Sequence, residues 1–331
     1  MNRSKPNYFL WTSAVIAVAV IGYIVTDLPQ ESTNDSVVHA SQREIAATLQ
    51  AIQSADEETS ISFKTDDDGY IVQFSARGQS FDRTDAEILE GLTTLEHLEL
   101  ADTAIIDESL NSIGKLHRLS TAILDNTQIT SAGLMELTDL EQLQHLSLVN
   151  CPVSDDGAEA LARVDSLRIL NLSGTQISDS GLAGLKPLTQ LERLYLNDTV
   201  VTGEGFRQLG GMDNLKQLTL ARTPLSEAGI AGLSSFPNLS VLYLDGIAFN
   251  PALIGTLMTE LTTTHKFLNG LFLADATLSD ESIEPLKGLA ELPELSVVSL
   301  QGTAISKRAF QELAAVTPEV TYQVDYPAGN E

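Results

Sequence analysis

Apolar residues return along this chain at a fixed interval of 24 residues. In each unit, three of them stand at the first, fourth and sixth positions, and more polar residues separate them, which is the alternation of a strand with one buried face. Seven sets keep this register, and they are Leu95, Leu98 and Leu100; Leu119, Ala122 and Leu124; Leu143, Leu146 and Leu148; Leu167, Leu170 and Leu172; Leu191, Leu194 and Leu196; Leu215, Leu218 and Leu220; and Leu239, Leu242 and Leu244. One set precedes them at Ile71, Phe74 and Ala76, and two follow at longer spacing, at Leu268, Leu271 and Leu273 and at Leu295, Val298 and Leu300.

A second pattern follows each predicted strand. In the unit that begins at Leu167, a turn carries Thr175 and Ile177, and then Ser178-Asp179 precedes leucines at helical spacing. Each unit therefore predicts a strand, a turn and a short helix. One such unit buries too few apolar side chains to offset the entropy lost on ordering it, so the units are expected to stack on one another.

These residues resemble the leucine-rich repeat family, in the subtype written L-x-x-L-x-L-x-x-T-x-I-[ST]-D-x-G-L-x-x-L. The unit from Leu167 shows the pattern in full, and the resemblance covers residues 71–316. It implies an α/β leucine-rich repeat solenoid of about nine to ten repeats. A curved parallel sheet would form the concave side of that solenoid, and short helices would form its convex side.

Both ends of the array have sequences suited to closing it. Residues 41–70 are predicted to form an N-terminal cap, with Ile45, Leu49 and Ile52 on one helix face and a hairpin that turns at residues 66–69. At the other end, residues 317–331 form a predicted capping strand and tail, in which Val320, Tyr322 and Val324 alternate with polar residues.

The N-terminal segment has the length and composition of a membrane span. Residues 6–26 are 21 residues without a charge, and a helix of that length crosses a bilayer core. Because Arg3 and Lys5 precede this run, the N-terminus is expected in the cytoplasm and the repeat domain outside it, in a periplasm or extracellular space. The segment 1–26 is thus a predicted signal anchor and transmembrane helix, followed by a polar linker at 27–40. A cleaved signal peptide, which would leave a secreted protein, is the alternative.

Composition excludes several classes of protein. With 43% apolar residues the chain is not mainly disordered, and its net charge of −26 would repel nucleic acid. Cys151 is the one cysteine, so neither an internal disulfide nor a cysteine-built zinc site is expected. Cys151 shares its register with a series of threonines and is interpreted as a structural residue of the turn.

The sequence contains no motif of a known catalytic centre. Aspartates recur after the turn at Asp107, Asp155, Asp179 and Asp280, where an acid in the first turn of a helix is favoured by the exposed N–H groups. The aspartates are therefore interpreted as structural, and no enzyme activity, cofactor or metal is expected.

Recognition is expected on the strand positions between the leucines, because the fold does not dictate their identity. Aromatic and arginine side chains gather there, and such residues commonly anchor protein interfaces. The candidate ligand-binding residues are Arg193, Tyr195, Arg222, Val241, Tyr243 and Phe272, with His97 and His145 on other repeat strands.

The repeat from Leu239 is longer than the others. Asn250 is a predicted helix cap and Pro251 a predicted first helical residue, in a helix longer than its counterparts.

The sequence favours a non-enzymatic scaffold that binds a protein, peptide or glycan outside the cytoplasm. Two alternatives stay open at this point, namely a structural envelope protein without a discrete ligand and a substrate-recognition subunit of a ubiquitin-ligase-like complex.

Overall fold

The computed structural model describes residues 42, 44–49 and 60–325. The chain divides into two compact units, Met1–Leu143 and Gln144–Glu331, which are described separately. The predicted anchor at 6–26 and linker at 27–40 lie outside the described residues. Within the described ranges, no helix combines the length and apolar character needed to cross a bilayer.

The first unit opens with a helical segment and a hairpin. Ile45 and Leu49 of the helical residues 44–49 are buried, as their spacing predicts, whereas Ile52 lies outside the described residues. Strand β1 (Ser60–Thr65) pairs antiparallel with β2 (Ile71–Arg77). Gln42 ties the segment to the hairpin, because its buried Oε1 accepts a 2.7 Å hydrogen bond from the Ile71 backbone N–H.

The turn of this hairpin is stabilised by one carboxylate. The Asp66 Oδ1 atom accepts backbone hydrogen bonds from Asp68 and Tyr70, at 3.1 and 2.8 Å. Gly69 has a φ of 87°, a left-handed conformation that a glycine adopts without steric cost. The acidic run 66–68 is therefore part of a tight turn.

Parallel strands continue the first unit. Strand β2 pairs with β3 (His97–Glu99), which pairs with β4 (Thr121–Ile123). The connections contain the one-turn helices α1 (Arg83–Ala86) and α2 (Leu110–Ile113) and the 3-10 turns Glu87–Gly91, Asp107–Ser109 and Gly133–Leu137.

The second unit has the same arrangement, with eight strands and seven connections along one parallel sheet, in the chain order of its strands. The strands are β5 (His145–Ser147), β6 (Ile169–Asn171), β7 (Arg193–Tyr195), β8 (Gln217–Thr219), β9 (Val241–Tyr243), β10 (Gly270–Phe272), β11 (Val297–Ser299) and β12 (Thr321–Gln323). The helices between them are α3 (Asp155–Leu161), α4 (Asp179–Leu182), α5 (Glu227–Gly232), α6 (Pro251–Thr264), α7 (Ile283–Leu286) and α8 (Lys307–Val316). The remaining connections use the 3-10 turns Ala183–Leu185, Glu204–Leu209, Leu233–Ser235, Asp280–Ser282 and Lys287–Glu291.

The predicted leucines form the core of both units. Leu170 and Leu172 are fully buried, and so are their counterparts in neighbouring repeats. Because each strand is followed by the same turn, the core leucines of successive strands stack on one another. This stacking supplies apolar contacts that a single repeat lacks.

A ladder of hydroxyl groups supports the turns. The Thr175 hydroxyl donates a 2.6 Å hydrogen bond to the backbone carbonyl of Leu172, three residues earlier. Cys151 occupies the same register and is only 1% exposed. The same bond, at 2.7 Å, is made by Thr103, Thr127, Thr199, Thr223 and Thr303.

The longest described helix is the one predicted from the enlarged repeat. Asn250 caps α6 by accepting a 2.8 Å hydrogen bond from the Leu253 N–H, and Pro251 is its first residue. Both features of the prediction are confirmed.

Candidate functional site

The open face of the sheet consists of the first and third residues of each short strand, which flank the buried central residue. In the second unit, parallel pairing aligns these residues into two rows that run across the strands. The first row contains Arg193, Gln217, Val241, Gly270 and Val297, and the second contains Tyr195, Thr219, Tyr243, Phe272 and Ser299.

Two aromatic side chains of the second row stack on each other. The ring centroids of Tyr243 and Phe272 lie 4.2 Å apart, and the ring planes differ by 12°. Gly270 makes room for this arrangement, since a Cβ atom there would lie 3.1 Å from Phe272 Cε2 and 3.7 Å from Val241 Cγ1. The missing side chain lets Phe272 and Val241 approach each other over the strand.

Thr219 lies between the stacked pair and Tyr195 in the same row. Its side chain points away from the core, because Leu218 before it and Leu220 after it are buried there. Even so, Thr219 is only 4% exposed, and its hydroxyl oxygen has no hydrogen-bond partner among the residues that the structure describes. We call Tyr195, Thr219, Val241, Tyr243 and Phe272 the aromatic patch.

Carboxylates lie at the end of the strands beside the aromatic patch. Asp245 is half-buried, and its Oδ1 atom accepts a 2.7 Å hydrogen bond from the Ala274 N–H. Burial raises the pKa of Asp245, and the nearby negative charge of Asp275 raises that pKa further. Burial also raises the pKa of Tyr243, with a second contribution from the charge of Asp245. The patch is therefore in a negative electrostatic environment.

Arg222 is already bound within the protein. Its Nε and Nη2 atoms each donate a 2.6 Å hydrogen bond to Asp198, one to each carboxylate oxygen. These hydrogen bonds lower the pKa of Asp198. Arg222 thus neutralises a neighbouring carboxylate, and this two-point pairing limits its availability as an anchor for a ligand.

The other predicted site residues are distributed over both units. Arg193 is exposed in the first row of the open face, and His145 is half-exposed on β5. His97 belongs to the first unit, where it lines an open cavity of about 300 Å³ together with Lys64 and Glu99. The structure thus brings Val241, Tyr243 and Phe272 into direct proximity, whereas His97 belongs to a separate cavity.

Three residues of this region were not predicted from the sequence. Thr219 resembles any small residue of the open face, so only its burial between aromatic positions distinguishes it. The positions equivalent to Asp245 and Asp275 carry the neutral residues Asn197 and Asn150 in two repeats, but they carry Asp125, Asp102 and Asp198 in others, so the sequence does not single out these two carboxylates. Their proximity to each other is visible only in the folded protein.

The recurring aspartates have a structural role. Asp155 accepts hydrogen bonds from both the backbone N–H and the hydroxyl of Ser178 in the next repeat, at 2.8 and 2.6 Å. Asp107 binds Thr130 and Asp280 binds Ser306 in the same manner. Among the residues that the structure describes, no group of three or more histidine, cysteine or acidic side chains could hold a metal ion.

A family model described as Leucine Rich repeat matches residues 142–162 and 166–186. None of the curated proteins searched matches the sequence.

Solved structures of Listeria monocytogenes proteins are similar to this one. An internalin covers 85% of this chain and 95% of its own, at 16% identity and a TM-score of 0.45. An internalin C2 covers 72% of this chain and 84% of its own, at 23% identity and a TM-score of 0.45. The two stretches that the family model matches, residues 142–162 and 166–186, are thus similar to leucine-rich repeats, and strand and turn units of the same form recur through the described part of the chain.

Proposed function

We propose that this protein is a non-enzymatic scaffold that binds a protein partner through the aromatic patch. The observation that carries this proposal is the stacked pair of Tyr243 and Phe272 on the open face of the sheet. Stacked aromatic rings on a rigid surface offer a large contact area at a low cost in conformational entropy.

The neighbouring Thr219 supports the same conclusion. A buried hydroxyl without a hydrogen-bond partner is costly in a folded protein, and such a group calls for an explanation. Because this oxygen is enclosed in the free protein, a partner would satisfy it by shifting neighbouring side chains of the open face and contributing a polar atom. Tyr195 adds a third aromatic side chain beyond Thr219, which extends the surface across the four strands β7 to β10.

We also propose that residues 6–26 anchor the protein in a membrane. The support is the uncharged sequence itself, with Arg3 and Lys5 before it and Asp27 and Glu31 after it. With such an anchor, the repeats lie outside the cytoplasm, where the aromatic patch meets its partner. We further propose that the repeats belong to the 24-residue subtype of the leucine-rich repeat.

The binding proposal is tested with a displayed library of random peptides selected on the full-length protein. Replacement of Tyr195, Tyr243 and Phe272 together by alanine should lower the binding affinity of most selected peptides by roughly 100-fold, because hot-spot aromatic residues carry most of the affinity in an interface. Thermal stability should change little, since all three side chains lie outside the leucine core.

A matched control replaces three other open-face residues of the same unit, Ile169, Thr321 and Gln323, by alanine. Binding should survive in this variant. Peptides that bind the aromatic triple variant as well as the original protein would refute the assignment of the patch as the binding surface.

A further inference from the structure

We propose that the partner presents an arginine side chain, which stacks on the aromatic patch and pairs with Asp245 and Asp275. This inference rests on the proposed function and names the chemistry of the partner. It follows from the two carboxylates, the stacked rings and the buried, unsatisfied hydroxyl of Thr219.

The negative charge of Asp245 is not required by the fold. The equivalent residue two repeats earlier is Asn197, whose Oδ1 atom accepts a 2.8 Å hydrogen bond from the Ala221 N–H. Asp245 makes the same bond to Ala274 at 2.7 Å. A neutral amide therefore performs the structural task, and the charge at position 245 is additional.

The same comparison applies to Asp275. The Asp275 side chain lies over Gly302 of the next repeat, where its Oδ1 atom is 2.0 Å from the position that a Cβ atom on Gly302 would take. In an earlier repeat, Asn150 Oδ1 lies 2.0 Å from the corresponding place on Gly174. Asp275 and Asn150 also share a left-handed backbone, with φ of 55° and 56°, which asparagine tolerates well. Here too an amide is sufficient for the structure.

In the described part of the chain, the two additional charges face one nearby cation, Arg222. Arg222 is shared with Asp198, which it binds through two hydrogen bonds, so one arginine stands against three carboxylates in this group. Asp245 and Asp275 repel each other. A cation brought by a partner would relieve this repulsion, which gives charge complementarity to a basic ligand.

The aromatic patch favours arginine over other cations. A guanidinium group is planar and stacks on aromatic faces, and its several N–H donors can serve a carboxylate and a hydroxyl at once. Thr219 is 4% exposed and lies in the row between Tyr195 and Tyr243, and its enclosed hydroxyl oxygen is an unused acceptor that a guanidinium group would reach once neighbouring side chains shift. A lysine ammonium group offers a point charge but no planar surface.

The test uses arginine-containing peptides selected on the full-length protein from the displayed library. In each peptide, arginine is replaced by citrulline, a neutral side chain of nearly the same shape, or by lysine. Citrulline should weaken binding roughly tenfold, which is the size expected for loss of partly exposed ionic and cation–π contacts. Lysine should give an intermediate affinity.

The protein variant Asp245→Asn/Asp275→Asn should weaken the arginine peptides by a similar factor and leave the citrulline peptides unchanged. Asn197 and Asn150 show that both substitutions suit the fold. A charge-matched control, Asp165→Asn/Asp213→Asn, removes two exposed carboxylates of the same unit and should leave binding intact.

The outcomes separate this inference from the proposed function. The arginine inference is overturned if the selected peptides lack arginine. It is also overturned if replacing arginine by citrulline lowers the binding affinity as much in the Asp245→Asn/Asp275→Asn variant as in the original protein. If those same peptides then fail to bind the aromatic triple variant, the result would still support the aromatic patch as the binding surface. Binding that is insensitive to the aromatic triple variant overturns both.

Discussion

His265 is a completely buried histidine that follows the long helix α6. Its Nε2 atom lies 3.2 Å from the Leu233 carbonyl oxygen, and its Nδ1 atom lies 2.9 Å from the Thr264 hydroxyl. Because a carbonyl oxygen only accepts, the proton of the neutral ring belongs on Nε2. Burial lowers the pKa of His265 below its usual value of 6.5, and this effect outweighs the opposing influence of Glu260.

This lowered pKa predicts a dependence of stability on pH. The unfolded chain binds a proton on His265 more readily than the folded protein does. The contribution of neutral His265 to folding stability is therefore complete above pH 6.5 and is lost as the pH falls below that value. Replacement of His265 by glutamine should reduce the loss of thermal stability between about pH 7 and pH 5. Thermal melting at several pH values measures this effect.

The exposed histidine His117 provides the control for that experiment. His117→Gln should leave the pH profile of melting unchanged. An unaltered profile in the His265 variant would mean that other groups, such as the carboxylates, cause the whole pH dependence.

At the scale of secondary-structure elements, aspartates at the start of several short helices and 3-10 turns connect them to the next repeat. Asp179, the first residue of α4, accepts hydrogen bonds from the Thr202 N–H and hydroxyl, at 2.9 and 2.7 Å, and from the Gly205 N–H at 3.0 Å. Burial raises the pKa of Asp179, but these hydrogen bonds outweigh it and leave the pKa below its usual value. Helices of four residues are thus held in place by their neighbours.

Replacement of Asp179 by alanine should therefore destabilise the protein by about 2 kcal/mol, because three donors lose a charged acceptor. The contribution of Asp179 is present above the pKa of an unfolded aspartate and is lost as the pH falls toward its folded pKa. Urea unfolding at neutral and acidic pH measures both effects.

Asp179→Asn keeps one acceptor oxygen and should lower the free energy of unfolding less than Asp179→Ala does. As a control, Asp165→Ala at an exposed site should leave the free energy of unfolding almost unchanged. Equal unfolding midpoints for the alanine variants at the two positions would show that the bridge between repeats contributes no stability.

At the scale of the whole molecule, the location of the repeats is the principal test of the anchoring proposal. A protease added to intact cells that express the full chain should degrade the repeat region. N-terminal sequencing of the mature protein should find residues before position 27, because an anchor is retained.

Two other results would change that proposal. A mature N-terminus after residue 26 would indicate a cleaved signal peptide and a secreted protein. Protection of the repeats in intact cells, with degradation after lysis, would place them in the cytoplasm and contradict the anchor orientation.

The amino-acid sequence alone determined the repeating architecture. Leucines at a 24-residue interval can all be buried only if each unit repeats the same strand and turn, so the strands followed directly from the spacing. The cap by Asn250 and the start at Pro251 were equally readable, because helix capping depends on residues close together in the chain.

Only the tertiary structure decided how the open face is organised. The stacking of Tyr243 on Phe272, the burial of Thr219 and the repulsion between Asp245 and Asp275 all join residues of different repeats. Arg222 was a predicted ligand-binding residue, and its pairing with Asp198 depends on the same lateral contacts. Side-chain direction across neighbouring strands is set by packing rather than by local sequence, which is why these contacts were not predictable from the repeat pattern.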